Sequence, residues 1–141
     1  LEFRRVLFRS IKNVGSVEMV QAVPITQAAS TGQAAGVYRT DIVLPANSHI
    51  IGIQIMATTA WTGASSNVAI GTTSGGTDLV AATAVAAIGI LALTPGTNAT
   101  AVGKWDDIGT TDVRIWVNST NTGSGVGTIV VRYIQAQDLV G

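Results

Sequence analysis

The sequence has 141 residues, of which 47% are hydrophobic and only 11% are charged, with one histidine and no cysteine. The lack of cysteine excludes disulfide frameworks, thiolate zinc sites and cysteine nucleophiles from this chain, and a single histidine excludes sites built from several histidines. Soluble domains usually contain about 25% charged residues. We therefore expect another protein to cover part of the surface.

The first ten residues resemble a sequencing scar. Leu1 to Ser10 back-translates in frame to a common short-read library adapter, so we exclude it from the fold and assign residues 11–141 to a single domain. The alternative is a basic amphipathic arm that binds membranes or nucleic acid through Arg4, Arg5 and Arg9. Without the scar, five basic and seven acidic residues remain. The adapter also indicates a metagenomic origin of the reads.

This charge distribution disfavours two classes of partner. The remaining Lys and Arg residues stand singly along the chain, whereas nucleic-acid binding needs neighbouring cations that neutralise several phosphates. The longest strongly apolar uncharged run, Leu79 to Leu93, is shorter than the roughly 20 residues of a membrane-spanning helix. We therefore expect neither a nucleic-acid partner nor a membrane span, and we interpret this run as buried protein.

The first half of the chain predicts three strands. Val, Ile and Thr are abundant, and these β-branched side chains suit a pleated sheet. A first strand is expected from Val14 to Val23 and ends at Pro24, and a long loop without periodicity follows from Gln27 to Gly36. Val37 to Leu44 and His49 to Thr58 show the alternation of two further strands.

The two alternating strands also predict which side chains lie in the core. In the first of them one face carries Tyr38, Thr40, Ile42 and Leu44. In the second, Ile51, Ile53 and Ile55 share a face and are expected to be buried. The opposite face of this second strand is also largely apolar, so we place the strand at the centre of its sheet.

The second half contains shorter strands separated by turn-rich loops. We expect strands at Asn67 to Ile70, Gly89 to Leu93, Asp112 to Val117 and Val126 to Ile134. Leu79 to Ala87 is rich in alanine and is interpreted as a short helix or an irregular segment, although it lacks a polar stripe of helical period. Seven or eight short strands with at most one short helix predict an all-β, jelly-roll-like β-sandwich.

The candidates for chemistry all have simpler structural interpretations. His49 has no companion histidine or cysteine. The glycine-rich loop from Gly71 to Asp78 lacks the Gly-Lys-Ser/Thr ending of a phosphate-binding loop. Asp106, Asp107 and Asp112 do not match the spacing of a calcium-binding loop. We therefore predict no catalytic residue, cofactor or metal site, and no enzymatic activity.

Tryptophan side chains are the remaining candidates for binding. Trp61 and Trp105 are expected in loops, where an indole ring can stack on a sugar ring or contact a neighbouring subunit. Anchoring of each loop to the protein is the alternative interpretation. Trp116 lies in an alternating strand and is assigned to the core or to an interface.

Three stretches of the sequence resemble small virion proteins of tailed bacteriophages. They are DIVLPANSHIIGI at 41–53, NVAIGTT at 67–73 with TDL at 77–79, and GTIVVRY at 127–133. The likeness extends over about residues 36–135. It implies a jelly-roll-like subunit, often trimeric, that decorates a capsid or joins a head or tail fibre.

The expected function is therefore structural. We predict a non-enzymatic virion protein that decorates or stabilises a phage capsid and whose partners are its own copies, as a homotrimer, and the major capsid or other virion proteins. The low charge and a mean hydropathy of +0.43 favour assembly independently of the resemblance. The alternative is a receptor- or glycan-binding knob of a tail fibre, which would use the loops that contain Trp61 and Trp105.

Overall fold

A computed structural model describes residues 17–28, 37–63, 66–119 and 123–135. These residues form eight strands and one helix: β1 (Glu18–Thr26), β2 (Val37–Leu44), β3 (Ser48–Thr59), β4 (Asn67–Gly71), β5 (Val80–Ala84), β6 (Gly89–Leu93), α1 (Ala99–Asp106), β7 (Val113–Ser119) and β8 (Val126–Gln135). The segment from Leu1 to Ser10, and all but the first two residues of the loop predicted from Gln27 to Gly36, lie outside the described residues.

The strands form two four-stranded antiparallel sheets. The first sheet has the order β1-β8-β3-β6 and the second has the order β2-β7-β4-β5. Strand one therefore pairs with strand eight, two with seven, three with six and four with five. This nesting is the pattern of a long hairpin folded over on itself, which is the jelly-roll arrangement. The predicted all-β, jelly-roll-like sandwich is confirmed.

Apolar side chains from both sheets fill the space between them. Eight branched aliphatic residues at most 1% exposed illustrate this core: Ile25, Ile53, Ile55 and Ile129 from the first sheet, and Ile42, Leu44, Ile70 and Ile115 from the second. Burial of each such side chain stabilises the fold by about 1.5–3 kcal/mol. Because both sheets contribute buried side chains to this layer, each sheet needs the other to keep its apolar side out of water.

Several strand predictions are confirmed. On β2, Thr40, Ile42 and Leu44 are buried, and Arg39 and Asp41 on the other face are exposed. The side chain of Tyr38, predicted for the same face as Thr40, lies outside the described residues. The strand predicted to be central, β3, lies between β8 and β6. β6 has the predicted bounds, and β4, β7 and β8 differ from their predicted bounds by at most two residues at either end.

The predicted core face of β3 is wrong at its beginning. The pairing of β3 with β8 is interrupted by a register shift between Ile50 and Gly52. An extra residue at such a bulge reverses the faces of the residues that precede it. Ile50 is therefore 5% exposed and Ile51 is 41% exposed. Ile53 and Ile55 lie in the core as predicted.

The predicted end of the first strand at Pro24 is also wrong. β1 continues through Pro24 to Thr26, and Pro24 pairs with Thr128 on β8. Proline has no N–H group and is tolerated on an edge strand where that group would face solvent. β1 is an edge strand of the first sheet. The tertiary position of the strand, rather than its local sequence, thus decides that it continues.

The predicted helix or irregular segment from Leu79 to Ala87 forms a strand instead. Its central residues make up β5, which pairs with β4 through Val80–Ile70 and Thr83–Val68. Alanine is a strong helix former, but these residues gain sheet hydrogen bonds to β4 and bury Val80 against the core. The tertiary contact therefore overrides the local preference.

The helix lies later in the chain, at α1. Asn98 caps its first turn, because the Asn98 side chain accepts hydrogen bonds from the N–H groups of Thr100 and Ala101 at 2.9 and 3.2 Å. Asparagine is one of the preferred residues at this position. The cap was the sequence feature that could have identified the helix.

Candidate functional site

The outward side of the first sheet is largely apolar, and we call it the outer apolar face. Three rows of outward side chains cross the strands: Val20, Arg132 and Gly52; Ala22, Val130, Gln54 and Ala92; and Pro24, Thr128, Met56 and Ile90. Ile90 is 68% exposed and Val20 is 57% exposed. An exposed apolar surface of this kind indicates a site of contact with another molecule.

The charges on the outer apolar face neutralise each other. Arg132 donates a hydrogen bond from Nε to the carboxylate of Glu18 across the β1–β8 pair. This bond holds the pKa of Glu18 below its usual value, so the carboxylate stays ionised beside the guanidinium. Both side chains are about half exposed, and the ion pair lies at one end of the face, next to the exposed His49 of β3.

The most apolar segment of the chain lies at the open edge of the sandwich. Residues 84–91 lead from β5 in the second sheet to β6 in the first and line a cavity of about 260 Å³. Ile88 in this connection is 70% exposed. We call β5, β6 and the residues between them the β5–β6 edge. The prediction that the run from Leu79 to Leu93 is buried is wrong, since only four of its residues are buried: Leu79, Val80, Val85 and Leu93.

A single side chain closes the opposite edge of the sandwich, between β1 and β2. Gln21 on β1 donates from Nε2 to the carbonyl of Val43 at 2.7 Å and accepts at Oε1 from the N–H of Val43 at 3.2 Å. Its Nε2 also donates to the Tyr133 hydroxyl at 2.9 Å. The amide of Gln21 thus occupies backbone groups that a neighbouring strand would otherwise pair.

The outward side of the second sheet has a different character. Arg39 and Asp41 are exposed on β2, and Arg114 on β7 lies 3.5 Å from the Asp41 carboxylate. Part of this side is covered by the loop between β4 and β5, since the side-chain amide of Asn118 donates to the Gly76 carbonyl. The exposed apolar surface is therefore concentrated on the first sheet and the β5–β6 edge.

A buried glutamine joins three loops at one end of the sandwich. Gln27 is 0% exposed. Its Nε2 donates to the Thr62 carbonyl at 2.7 Å, and its Oε1 accepts from the N–H groups of Thr62 and Gly125 at 2.8 and 3.1 Å. These bonds tie the β3–β4 and β7–β8 connections to the end of β1.

An ion pair ties the loop between β4 and β5 to α1 at the other end. Asp78 accepts from the Thr72 N–H at 2.8 Å and pairs with Lys104 on the helix. Burial of the carboxyl group raises the pKa of Asp78. The hydrogen bonds from Lys104 and Thr72 together lower this pKa by more than burial raises it, so that it lies below its ordinary value.

We expect Asp78 to make the stability of the protein sensitive to acid. A lowered pKa in the folded state means that the unfolded state binds more protons. The contribution of Asp78 to the free energy of unfolding is therefore complete above its ordinary pKa of 3.8. It is lost as the pH falls through the lower pKa that Asp78 has in the folded protein. Urea unfolding of the wild type and of Asp78→Asn from about pH 6 to about pH 2 measures how the free energy of unfolding depends on pH. Their difference in unfolding free energy should shrink with falling pH, and a constant difference would contradict it.

The two tryptophans selected from the sequence both anchor neighbouring segments. Trp61 lies in the loop after β3, is 4% exposed, and donates from Nε1 to the Ser119 hydroxyl at 3.1 Å. Trp105 lies on α1 rather than in a loop, is half-buried, and donates from Nε1 to the Leu79 carbonyl at 2.9 Å. The burial of Trp61 argues against sugar stacking by its ring, and the use of either residue as a ligand or interface contact stays a prediction.

Of the three acidic residues considered as metal ligands, Asp106 ends α1, and Asp107 and Asp112 accept hydrogen bonds in turns. Asp107 accepts from the Gly109 N–H and Asp112 from the Ala46 N–H, each at 3.0 Å. In residues 17–28, 37–63, 66–119 and 123–135, no group of three or more His, Cys, Asp or Glu side chains is placed to hold a metal ion. No helix in the same residues is long and apolar enough to cross a membrane.

Sequence reasoning did not find the exposed β5–β6 edge. The available signal was the absence of any charged residue between Asp78 and Lys104. An uncharged apolar segment is equally compatible with burial in its own chain and with exposure to a partner. The side chains of Ile88 and Ile90 could be assigned to the surface only from the positions of β5 and β6 at the edges of their sheets.

Comparison with known proteins bears on the fold. No protein-family model matches the chain, and no curated protein matches it. A solved structure described as the capsid of Ralstonia phage GP4 is similar, with a TM-score of 0.56 and 15% sequence identity over 89% of this chain and 87% of that chain. The two chains therefore share the β-sandwich fold.

Proposed function

We propose that this protein is a structural component of a phage virion that is built into the particle by contacts between proteins and catalyses no reaction. The observation that carries the proposal is the outer apolar face, which continues onto the β5–β6 edge. Val20, Met56, Ile88 and Ile90 expose between 42% and 70% of their surface there. The shared fold with a phage capsid chain supports the same assignment.

The physical basis of assembly is burial of apolar surface. Transfer of such surface out of water stabilises a complex by about 25 cal/mol per Å². Among the residues that the structure describes, the charges on the outer apolar face are Glu18 and Arg132, which already pair with each other. A partner that covers this face therefore removes few unpaired charges from water, and binding should depend only weakly on salt.

Within the virion we propose that the protein decorates or stabilises the capsid shell. The hydrogen bonds of Gln27 and the ion pair of Asp78 fix loops at both ends of the sandwich. A subunit held at both ends presents its outer face with little change of shape, which lowers the entropy cost of docking. Self-association and binding to the major capsid protein are part of this proposal, and the resemblance implies three copies.

Particles purified on a density gradient test the proposal. Particles of a phage that encodes this chain should yield its peptides by mass spectrometry, in a constant ratio to the major capsid protein across the particle band. Emptied heads separated from tails should keep the chain. Absence of the chain from intact particles would contradict a virion role, and its loss with the tails, together with binding to a glycan array, would support the tail-fibre alternative.

A further inference from the structure

The two halves of β1 are held to the sandwich in different ways. In the second half, apolar side chains anchor the strand, since Ile25 is 1% exposed and Val23 packs against the core. In the first half, Glu18–Ala22, no residue is buried, and Met19 and Val20 are 42% and 57% exposed. Burial of apolar surface is the main contribution to folding stability. The first half of β1 therefore lacks the contribution that fixes the second half.

Polar contacts hold the first half of β1 in place instead. β1 is an edge strand, and among the strands that the structure describes it pairs only with β8. Glu18 forms an ion pair with Arg132 of β8, and the Gln21 amide hydrogen-bonds to the Val43 backbone and to the Tyr133 hydroxyl. Polar groups regain hydrogen bonds from water when such contacts break, so the net stabilisation by each contact is modest.

Gln21 connects this half of the strand to the second sheet. It occupies an inward position of β1, in alternation with Val23 and Ile25, where an apolar side chain would be expected. Its hydrogen bonds to the N–H and C=O groups of Val43 reach β2, which belongs to the other sheet. A polar amide at this position gives up apolar burial and gains hydrogen bonds that link the two sheets.

We propose that Glu18–Ala22, which we call the β1 flap, opens and closes as one unit while the rest of the sandwich stays folded, and that the Gln21 amide holds it closed. The flap ends at Val23, where contact with the core begins. Opening uncovers the edge of β8 from Val130 to Ile134 and the backbone groups of Val43 on β2. The closed flap therefore prevents both strand edges from pairing with another chain.

The state of the β1 flap also changes the outer apolar face. Val20 and Ala22 belong to this face only while the flap is paired with β8. A partner that covers the outer apolar face therefore binds the closed form more tightly and shifts the equilibrium towards it. The β1 flap itself is inferred from the contacts of β1 alone, so it does not depend on the proposed virion role.

Native-state hydrogen exchange of the wild type tests whether the β1 flap opens separately. The flap amides that donate to β8 should exchange at least about tenfold faster than the amides of Ile53 and Ile115, which lie in the core. Low concentrations of urea should change the flap rates little, because a local opening exposes little surface. Flap amides that exchange only through global unfolding would overturn the proposal.

Three variants separate the hold of Gln21 from general stability. Gln21→Ala should speed exchange of the same flap amides about tenfold, because its hydrogen bonds are lost. Gln54→Ala is the matched control, since Gln54 lies on β3 of the same sheet and points outward, and it should leave the flap rates unchanged. Ile53→Ala should speed exchange in the core but not in the flap. No effect of Gln21→Ala, or equal acceleration of flap and core by Ile53→Ala, would contradict the proposal.

A reversible disulfide provides a second test. The chain has no cysteine, so Val20→Cys with Arg132→Cys introduces one bond between residues that lie opposite each other on β1 and β8. Opposite residues of an antiparallel pair have Cα atoms about 4.5–5.5 Å apart, which is within the range of a disulfide. In the oxidised protein the flap amides should exchange as slowly as the Ile53 amide, and reduction should restore fast exchange. Equal flap rates in both states would overturn the proposal.

Discussion

Replacing Ile53 by alanine is expected to lower the free energy of unfolding by about 2–5 kcal/mol. Ile53 is 1% exposed on β3, between β8 and β6 in the first sheet. The substitution removes buried methyl and methylene groups and leaves a cavity that strands on both sides prevent from collapsing. Urea unfolding followed by circular dichroism measures the loss as a lower midpoint at unchanged slope.

Ile51→Ala is the matched control for this prediction. Ile51 lies two residues earlier on the same strand and is 41% exposed because of the bulge between Ile50 and Gly52. Its truncation should cost less than about 1 kcal/mol, the usual range for partly exposed positions. Equal losses at Ile51 and Ile53 would show that regular alternation continues through the start of β3 and that the bulge is absent.

Gln27→Leu is expected to cost about 3 kcal/mol, because it leaves one buried and two partly buried backbone groups without their partner while keeping the side-chain volume nearly constant. The groups affected are the N–H and C=O of Thr62 and the N–H of Gly125. Besides the lower unfolding free energy, hydrogen exchange of the Thr62 and Gly125 amides should become faster. This second readout locates the effect in the loops that Gln27 joins.

Gln54→Leu is the control for the loss of a glutamine. Gln54 points outward from β3, is half-buried, and forms no side-chain hydrogen bond with the residues that the structure describes. Its substitution should change the unfolding free energy by less than about 0.5 kcal/mol. A loss at Gln27 no larger than this would mean that the three loops are held together by other contacts.

The same features that stabilise the sandwich explain how it presents an interaction surface. Ile53 and its neighbours keep β3 between β8 and β6, so that Met56 and Ile90 stand side by side on the outer apolar face. Gln21 closes one edge with hydrogen bonds, and within the described residues the β5–β6 edge is apolar and exposed. Stability and assembly therefore depend on different sides of the same strands.

The sequence by itself determined the class of the fold and the position of most strands. Alternating apolar and polar residues on β2, and β-branched runs on β3 and β8, indicate strands because successive side chains point to opposite faces. Because this pattern depends only on the local sequence, it indicates a strand before the neighbouring strands are known. The low charge predicts that another protein covers part of the surface, and this stays a prediction.

Only the tertiary structure decided the features that depend on neighbouring strands. The bulge at Ile51 depends on pairing with β8, the strand at β5 on pairing with β4, and the passage of β1 through Pro24 on its place at a sheet edge. Burial of Trp61 and exposure of Ile88 follow from which segments pack above them. Hydrophobicity indicates that a residue avoids water, but whether its own chain or a partner supplies the cover depends on contacts distant in sequence.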